Sequence, residues 1–268
     1  MFVILALLGC SLSTSNHEMN ACAALDQRAR SGMKVLADRA YRVPGQITED
    51  GDAIRVAQKN ILDKGADVLP CLVHIYEHGL VGTELWSEKT PVPTSGKWSM
   101  TFIREIDPAT AVRLYRNARA STGEATERLA LDAELATLGE REYLDELVAF
   151  LAKPGQRSNN AEEERLQQIQ RRALEGISVA HYRPALKALQ QMQARGWKNQ
   201  DVLRIYIAQL SNDVATLKIY MDKPFLSTYA LVALKRMGQE DLLRSLSVDH
   251  QYAYHERAGA ALNGTLTP

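Results

Sequence analysis

The chain lacks a charge surplus of either sign: Lys plus Arg number 32 and Asp plus Glu number 32 in 268 residues. A protein that grips nucleic acid by its phosphates carries a basic excess, so no nucleic-acid partner is expected. Cysteine is scarce, with three residues at Cys10, Cys22 and Cys71, too isolated for a cysteine zinc site. β-Branched runs are few, which argues against strands. The apolar run Met1–Gly9 has nine residues, whereas a bilayer-spanning helix needs about 20. Missing too are a Gly-x-Ser-x-Gly elbow, a phosphate-binding Walker loop and a dinucleotide glycine fingerprint. Their absence removes the commonest sequence signs of an enzyme.

What is present is helical periodicity. Hydrophobic residues make up 46% and charged residues 24%, an ordinary globular balance. The stretch Asp52–His78 carries Ile54, Ala57 and Ile61, a break at Lys64-Gly65, then Val68, Leu69, Leu72, Val73, Ile75 and Tyr76. Both runs have the i, i+3, i+4, i+7 spacing of one apolar helix face. Gly65 suits the turn between them because it takes positive φ without a Cβ clash. The motif returns with Leu131, Leu135 and Leu138, a break at Gly139, then Leu144, Leu147, Val148 and Leu151. A helix carrying Leu166, Ile169 and Ala173 is expected to end at Gly176. Leu135, Leu138, Gly139 and Leu147 recur as Leu234, Met237, Gly238 and Leu246, 99 residues later by subtraction. Three units of about 33 residues fit that interval.

One segment breaks the pattern. Residues 79–106 contain Gly79, Gly82, Pro91, Pro93 and Gly96, with Trp86 and Trp98 flanking the prolines. Lys97–Ile106 is expected to be an extended segment or hairpin arm in an irregular insertion. Trp86 and Trp98 are candidate partner-binding residues, since aromatics are enriched at binding hot spots. The alternative is that both cover the end of the core.

Leu62-Asp63-Lys64-Gly65-Ala66-Asp67-Val68-Leu69-Pro70-Cys71-Leu72 resembles the centre of a HEAT-like repeat. In that family a first helix ends in a Gly turn and an apolar-Pro-x-Leu start opens the second. The other units match in spacing but carry Leu144 or Leu243 in place of the proline. The resemblance implies an all-α solenoid whose concave face binds proteins, and it brings no catalytic residues and no cofactor with it. Leu7-Leu8-Gly9-Cys10 resembles the lipobox of bacterial lipoproteins. That likeness implies cleavage before Cys10, lipid on its thiol and, with Ser11 next, residence in the outer membrane facing the periplasm. The organisation expected is a signal peptide at 1–10, a tether at 11–17 and one solenoid domain at 18–268. The alternative is a cytosolic scaffold whose first helix buries the apolar residues. With Cys10 lipidated, Cys22, on a first helix from about Glu18 to Tyr41, and Cys71 make either a disulfide or two buried thiols.

His74-Ile75-Tyr76-Glu77-His78 has the His-x-x-Glu-His order of the inverted zinc-protease motif. Two imidazoles at i, i+4 share a helix face, as zinc requires, with Glu146 a third ligand on paper. Gly79 places them in a last helical turn, where histidines also suit the helix dipole. His250 and His255, beside Asp249, Glu256, Tyr252 and Tyr254, are five apart and so do not share a helix face. The expected function is a non-enzymatic protein-binding or scaffold module, an immunity-type lipoprotein facing a toxin among its forms. The partner is an envelope component or toxin, and the alternative is a zinc-dependent hydrolase using His74, Glu77 and His78.

Overall fold

A computed structural model describes residues 22–41, 51–80, 85, 95–153 and 160–266. Among the described residues the chain forms fourteen α-helices and two 3-10 turns, with no strand. It falls into two compact units, Met1–Leu114 and Tyr115–Pro268.

In the first unit α1 (Gln27–Tyr41) packs on α2 (Gly51–Leu62), and α3 (Leu69–His78) packs on α4 (Ser95–Ile106). Asp26 starts α1 by accepting a hydrogen bond from the Ala29 amide at 2.9 Å. Gly32, within α1, meets α2 backbone to backbone: a Cβ there would lie 2.7 Å from the Ala57 carbonyl oxygen. Gly65, at φ +53°, opens the 3-10 turn Gly65–Val68 that leads into α3. Met33, Ile61, Cys71, Leu72, Ile75 and Ile103 are buried.

Lys97–Ile106 is helical rather than extended. Ser95, Ser99, Met100, Phe102 and Ile103 are the buried residues of α4, a helical rather than alternating pattern. Of the expected insertion, 81–84 and 86–94 lie outside the described residues. Cys22 also differs from expectation: it sits in a turn ahead of α1, not on the helix.

The unit boundary falls within α5 (Pro108–Ser121), which Asp107 caps by accepting from the Ala109 and Thr110 amides at 3.1 and 3.3 Å. The second unit is a succession of helical hairpins. α6 (Ala125–Thr137) pairs with α7 (Leu144–Ala152), and α8 (Asn160–Val179) leads through a 3-10 turn to α9 (Leu186–Ala194). α10 (Gln200–Ser211) pairs with α11 (Val214–Met221), and α12 (Ser227–Arg236) with α13 (Glu240–Val248). α14 (His255–Leu262) closes the series. First helices lie against one another: α6 on α8, α10 on α12 and α12 on α14. α10 is buried on two faces, with Leu203, Tyr206 and Leu210 in one core and Ile205 and Ala208 in the next. That sharing is what makes the unit solenoid-like, since no hairpin buries its apolar surface alone.

Each hairpin turns in the same way. Gly139, His181, Asn212 and Gly238 all have positive φ. The amide after each reaches the carbonyl five residues back: Glu140 to Leu135 at 3.2 Å, Tyr182 to Ile177 at 3.0 Å, Asp213 to Ala208 at 2.8 Å and Gln239 to Leu234 at 3.0 Å. This is the Schellman arrangement, which satisfies carbonyls that the helix end leaves open. By residue number the four turns are 42, 31 and 26 residues apart. The 99-residue shift is therefore three units of unequal length, not three of about 33.

Gly176 does not end α8, which continues to Val179. A Cβ at Gly176 would sit 2.5 Å from the Ala136 Cβ and 2.9 Å from the Ala136 carbonyl carbon. The residue is glycine because α6 and α8 cross there in direct contact.

Candidate binding surface

Of the residues singled out from sequence, Cys22 meets Cys71 and His74 stands beside His78. Cys10 and Trp86 lie outside the described residues. Trp98 is on α4, edge-on to Phe102 with ring centroids 6.3 Å apart. Its indole nitrogen is buried with no hydrogen-bond partner among the described residues. Cys22 and Cys71 are joined in a disulfide that ties the turn before α1 to the start of α3. The Met33 sulfur lies 3.7 Å from Cys71 Sγ.

His74 and His78 stand one turn apart on α3, ring centroids 5.0 Å apart. Glu77 and His78 are exposed, and Gly79 ends the helix with its amide donating to the Ile75 carbonyl at 2.9 Å. Among the described residues no three His, Cys, Asp or Glu side chains gather where a metal could sit. Glu146, named as a third ligand, lies within the second unit 3.5 Å from Arg119. His250 and His255 approach edge-to-face at 5.2 Å, and His255 Nδ1 lies 3.2 Å from the Tyr252 carbonyl.

The second unit holds two polar groupings that pattern reading passes over. In the first, α5 is held to the α6–α7 hairpin by charge. Arg119 grips the buried Asp132 carboxylate, stacks over the Tyr143 ring at 4.8 Å and reaches Glu146. Arg116 bonds Glu140 and, at 3.1 Å, Glu142. Burial pushes the Asp132 carboxyl up; Arg119 opposes that and neighbouring Glu146 adds to it.

The second grouping lies where α8, α10 and α12 meet. Ser178 and Gln209 are buried polar side chains. Ser178 donates to Gln209 Oε1, and Gln209 Nε2 returns a bond to the Ser178 carbonyl at 2.9 Å. His181 Nδ1 is 3.5 Å from Gln209 Nε2. Arg236, at the end of α12, donates through Nη1 to Ser178 Oγ at 2.7 Å. Tyr206 lies close by, packed edge-to-face on Tyr229 at 6.4 Å. Desolvation lowers the Arg236 pKa against the opposing fields of Tyr206 and Glu175, and it raises the Tyr206 hydroxyl. Glu175 is itself engaged by Arg172 at 2.8 Å, and Arg172 also holds Glu134 at 3.1 Å.

The sequence did hold a sign of this grouping. Gln209 sits between Ala208 and Leu210, where the apolar pattern continues through a polar residue. A polar side chain at a core position needs partners, and those partners lie on other helices. Compared with known proteins, the chain matches no family model, no curated protein and no solved structure.

Proposed function

We propose that this protein is a non-enzymatic, HEAT-like binding module that recognises another protein and is held to a bacterial envelope membrane by lipid on Cys10. The observation that carries the reading is the layer of first helices α6, α8, α10, α12 and α14, successive members of which pack side by side. Such a layer displays side chains from many repeats along one surface, the usual geometry of helical-repeat recognition. The lipid anchor rests on the Leu7-Leu8-Gly9-Cys10 sequence alone. Binding of an envelope component or a toxin both fall within the reading.

The test is capture of a stoichiometric partner from envelope extract by the full chain, confirmed with the purified pair. Trp98→Ala and Trp86→Ala are expected to weaken capture. No partner from envelope extract would sink the reading, and globomycin-insensitive expression without palmitate on Cys10 would remove its anchor. A second reading, a zinc hydrolase, is favoured by one observation, the adjacent His74 and His78 rings. Stoichiometric zinc in the purified protein, lost in His74→Ala, would move the assignment there.

A further inference from the structure

We infer that Arg236, set among Ser178, His181, Gln209 and Tyr206, is a docking site for an acidic side chain of a partner protein. The inference rests on the protein-binding reading and names the chemistry that the helical layer would recognise.

A guanidinium presents five N–H donors in a planar fork suited to carboxylate. The Arg236 fork has one protein hydrogen bond among the described residues, from Nη1 to Ser178 Oγ. Some cations of this unit have carboxylates: Arg165 has Glu124 at 3.1 Å, Arg172 has Glu134 and Glu175, Arg204 has Asp201 at 3.4 Å and Lys235 has Glu240, whereas Arg141, Arg195 and Arg257 bond backbone carbonyls. Arg236 has no carboxylate within ion-pairing distance among the described residues. It is nonetheless half-buried. A desolvated cation with no carboxylate bonded to it is costly, and an incoming carboxylate would gain from that low-dielectric setting.

The surroundings also fix the side chain. Ser178 is held by Gln209 on one side and receives Arg236 on the other, so the guanidinium is anchored before a ligand arrives. Preorganisation of this kind raises affinity by reducing the ordering cost of binding. His181, beside Gln209, occupies positive φ at +52° in a turn where Gly139 and Gly238 serve elsewhere. Glu175 is the one acid whose field reaches Arg236, and Arg172 already engages it. The donor set favours a carboxylate: one fork, with neutral hydroxyl and amide groups around it, rather than several clustered cations.

The experiment uses the full chain and a fluorescein-labelled hexaglutamate peptide, read by fluorescence anisotropy, with hexaglutamine as the uncharged control. Salt-sensitive binding of hexaglutamate alone is expected. Arg236→Gln should weaken it about tenfold, the loss of one desolvated ion pair, and Arg236→Lys should recover only part. Arg165→Gln, which removes an exposed paired cation, should leave it unchanged. In unmodified protein, phenylglyoxal labelling of Arg236, mapped by peptide mass spectrometry, should fall when hexaglutamate is added; this arm stands even where a variant fails to fold. Absence of hexaglutamate binding, equal binding by Arg236→Gln, or undiminished labelling would each overturn the site. Binding of tripolyphosphate without hexaglutamate would overturn it in favour of phosphate. If Arg236→Gln captures an envelope partner as well as the unaltered chain does, the site fails while the protein-binding reading stands.

Discussion

Gly32 in the first unit and Gly176 in the second do the same job, each letting two helices touch at the backbone. Around that shared device the units are held in different ways. The first has a covalent tie, Cys22 to Cys71, closing a separation of 49 residues. The second, among its described residues, has no disulfide and relies on repeated Schellman turns, shared apolar cores and charge between helices. A succession of hairpins gives an interior helix such as α10 two cores, so each added unit stabilises its neighbour. In the first unit the cross-link adds restraint through the unfolded chain.

The largest break in that contrast is reduction, or Cys22→Ser with Cys71→Ser. For a separation of 49 residues the chain-entropy estimate is about 4 kcal/mol. Hydrogen exchange should show α1 to α3 losing protection while α6 to α14 keep theirs. Equal loss in both would show that the tie is not confined to the first unit. Next comes Arg119→Ala, which strands the Asp132 carboxylate, whose side chain is 1% exposed. The expected cost is about 3 kcal/mol in urea unfolding, since Arg119 itself keeps some solvent. Adding Asp132→Ala should restore part of it, and strict additivity of the two changes would argue against the pairing.

Gly176→Ala and Gly32→Ala should each cost about 1–3 kcal/mol, because the new Cβ forces the crossing helices apart. The helix-propensity gain of alanine, about 1 kcal/mol, works against that cost. A stabilised variant at either position would mean that the crossing yields easily. The smallest effects are in pH dependence. Hydrogen bonds from Thr216 hold the Asp213 carboxyl below its ordinary value of 3.8, and those from Thr110 do the same for Asp107. Their contribution is complete above 3.8 and lost as pH falls through the lowered values. Asp132 has the opposite sign: its raised folded pKa favours the protonated form, so its contribution fades as pH rises above 3.8. Asp213→Asn should therefore flatten the acid limb of the stability curve, and Asp132→Asn should flatten the fall above it. Parallel changes in the two variants would contradict the assigned signs.

Much of the helical architecture was legible because it depends on local spacing. The stripes at Leu131 to Leu138 and Leu144 to Leu151 became α6 and α7, and Gly139 and Gly238 became positive-φ turns. Lys97–Ile106 was misread, although its apolar residues fit no strict alternation, because nearby glycine and proline concealed a helical period. Gly176 was misread because glycine mid-helix and glycine past a helix end look alike in sequence. The Arg236 grouping was hidden for a different reason: Ser178, Gln209 and Arg236 are far apart in the chain and meet only when three helices stack. Arg119 and Asp132 also fall on separate, consecutive helices, so their pairing depends on how those two pack.

The four Schellman turns have a practical consequence. Since Gly139, His181, Asn212 and Gly238 close their hairpins alike at intervals of 42, 31 and 26 residues, the chain keeps its beat in turns and not in residues. An alignment forced to a constant period slips out of phase within one unit, whereas one pinned on these four positions brings every hairpin into step. It also marks where length can change: inserted residues belong in the helices and links between the pins, and a grafted or deleted unit should begin and end at them.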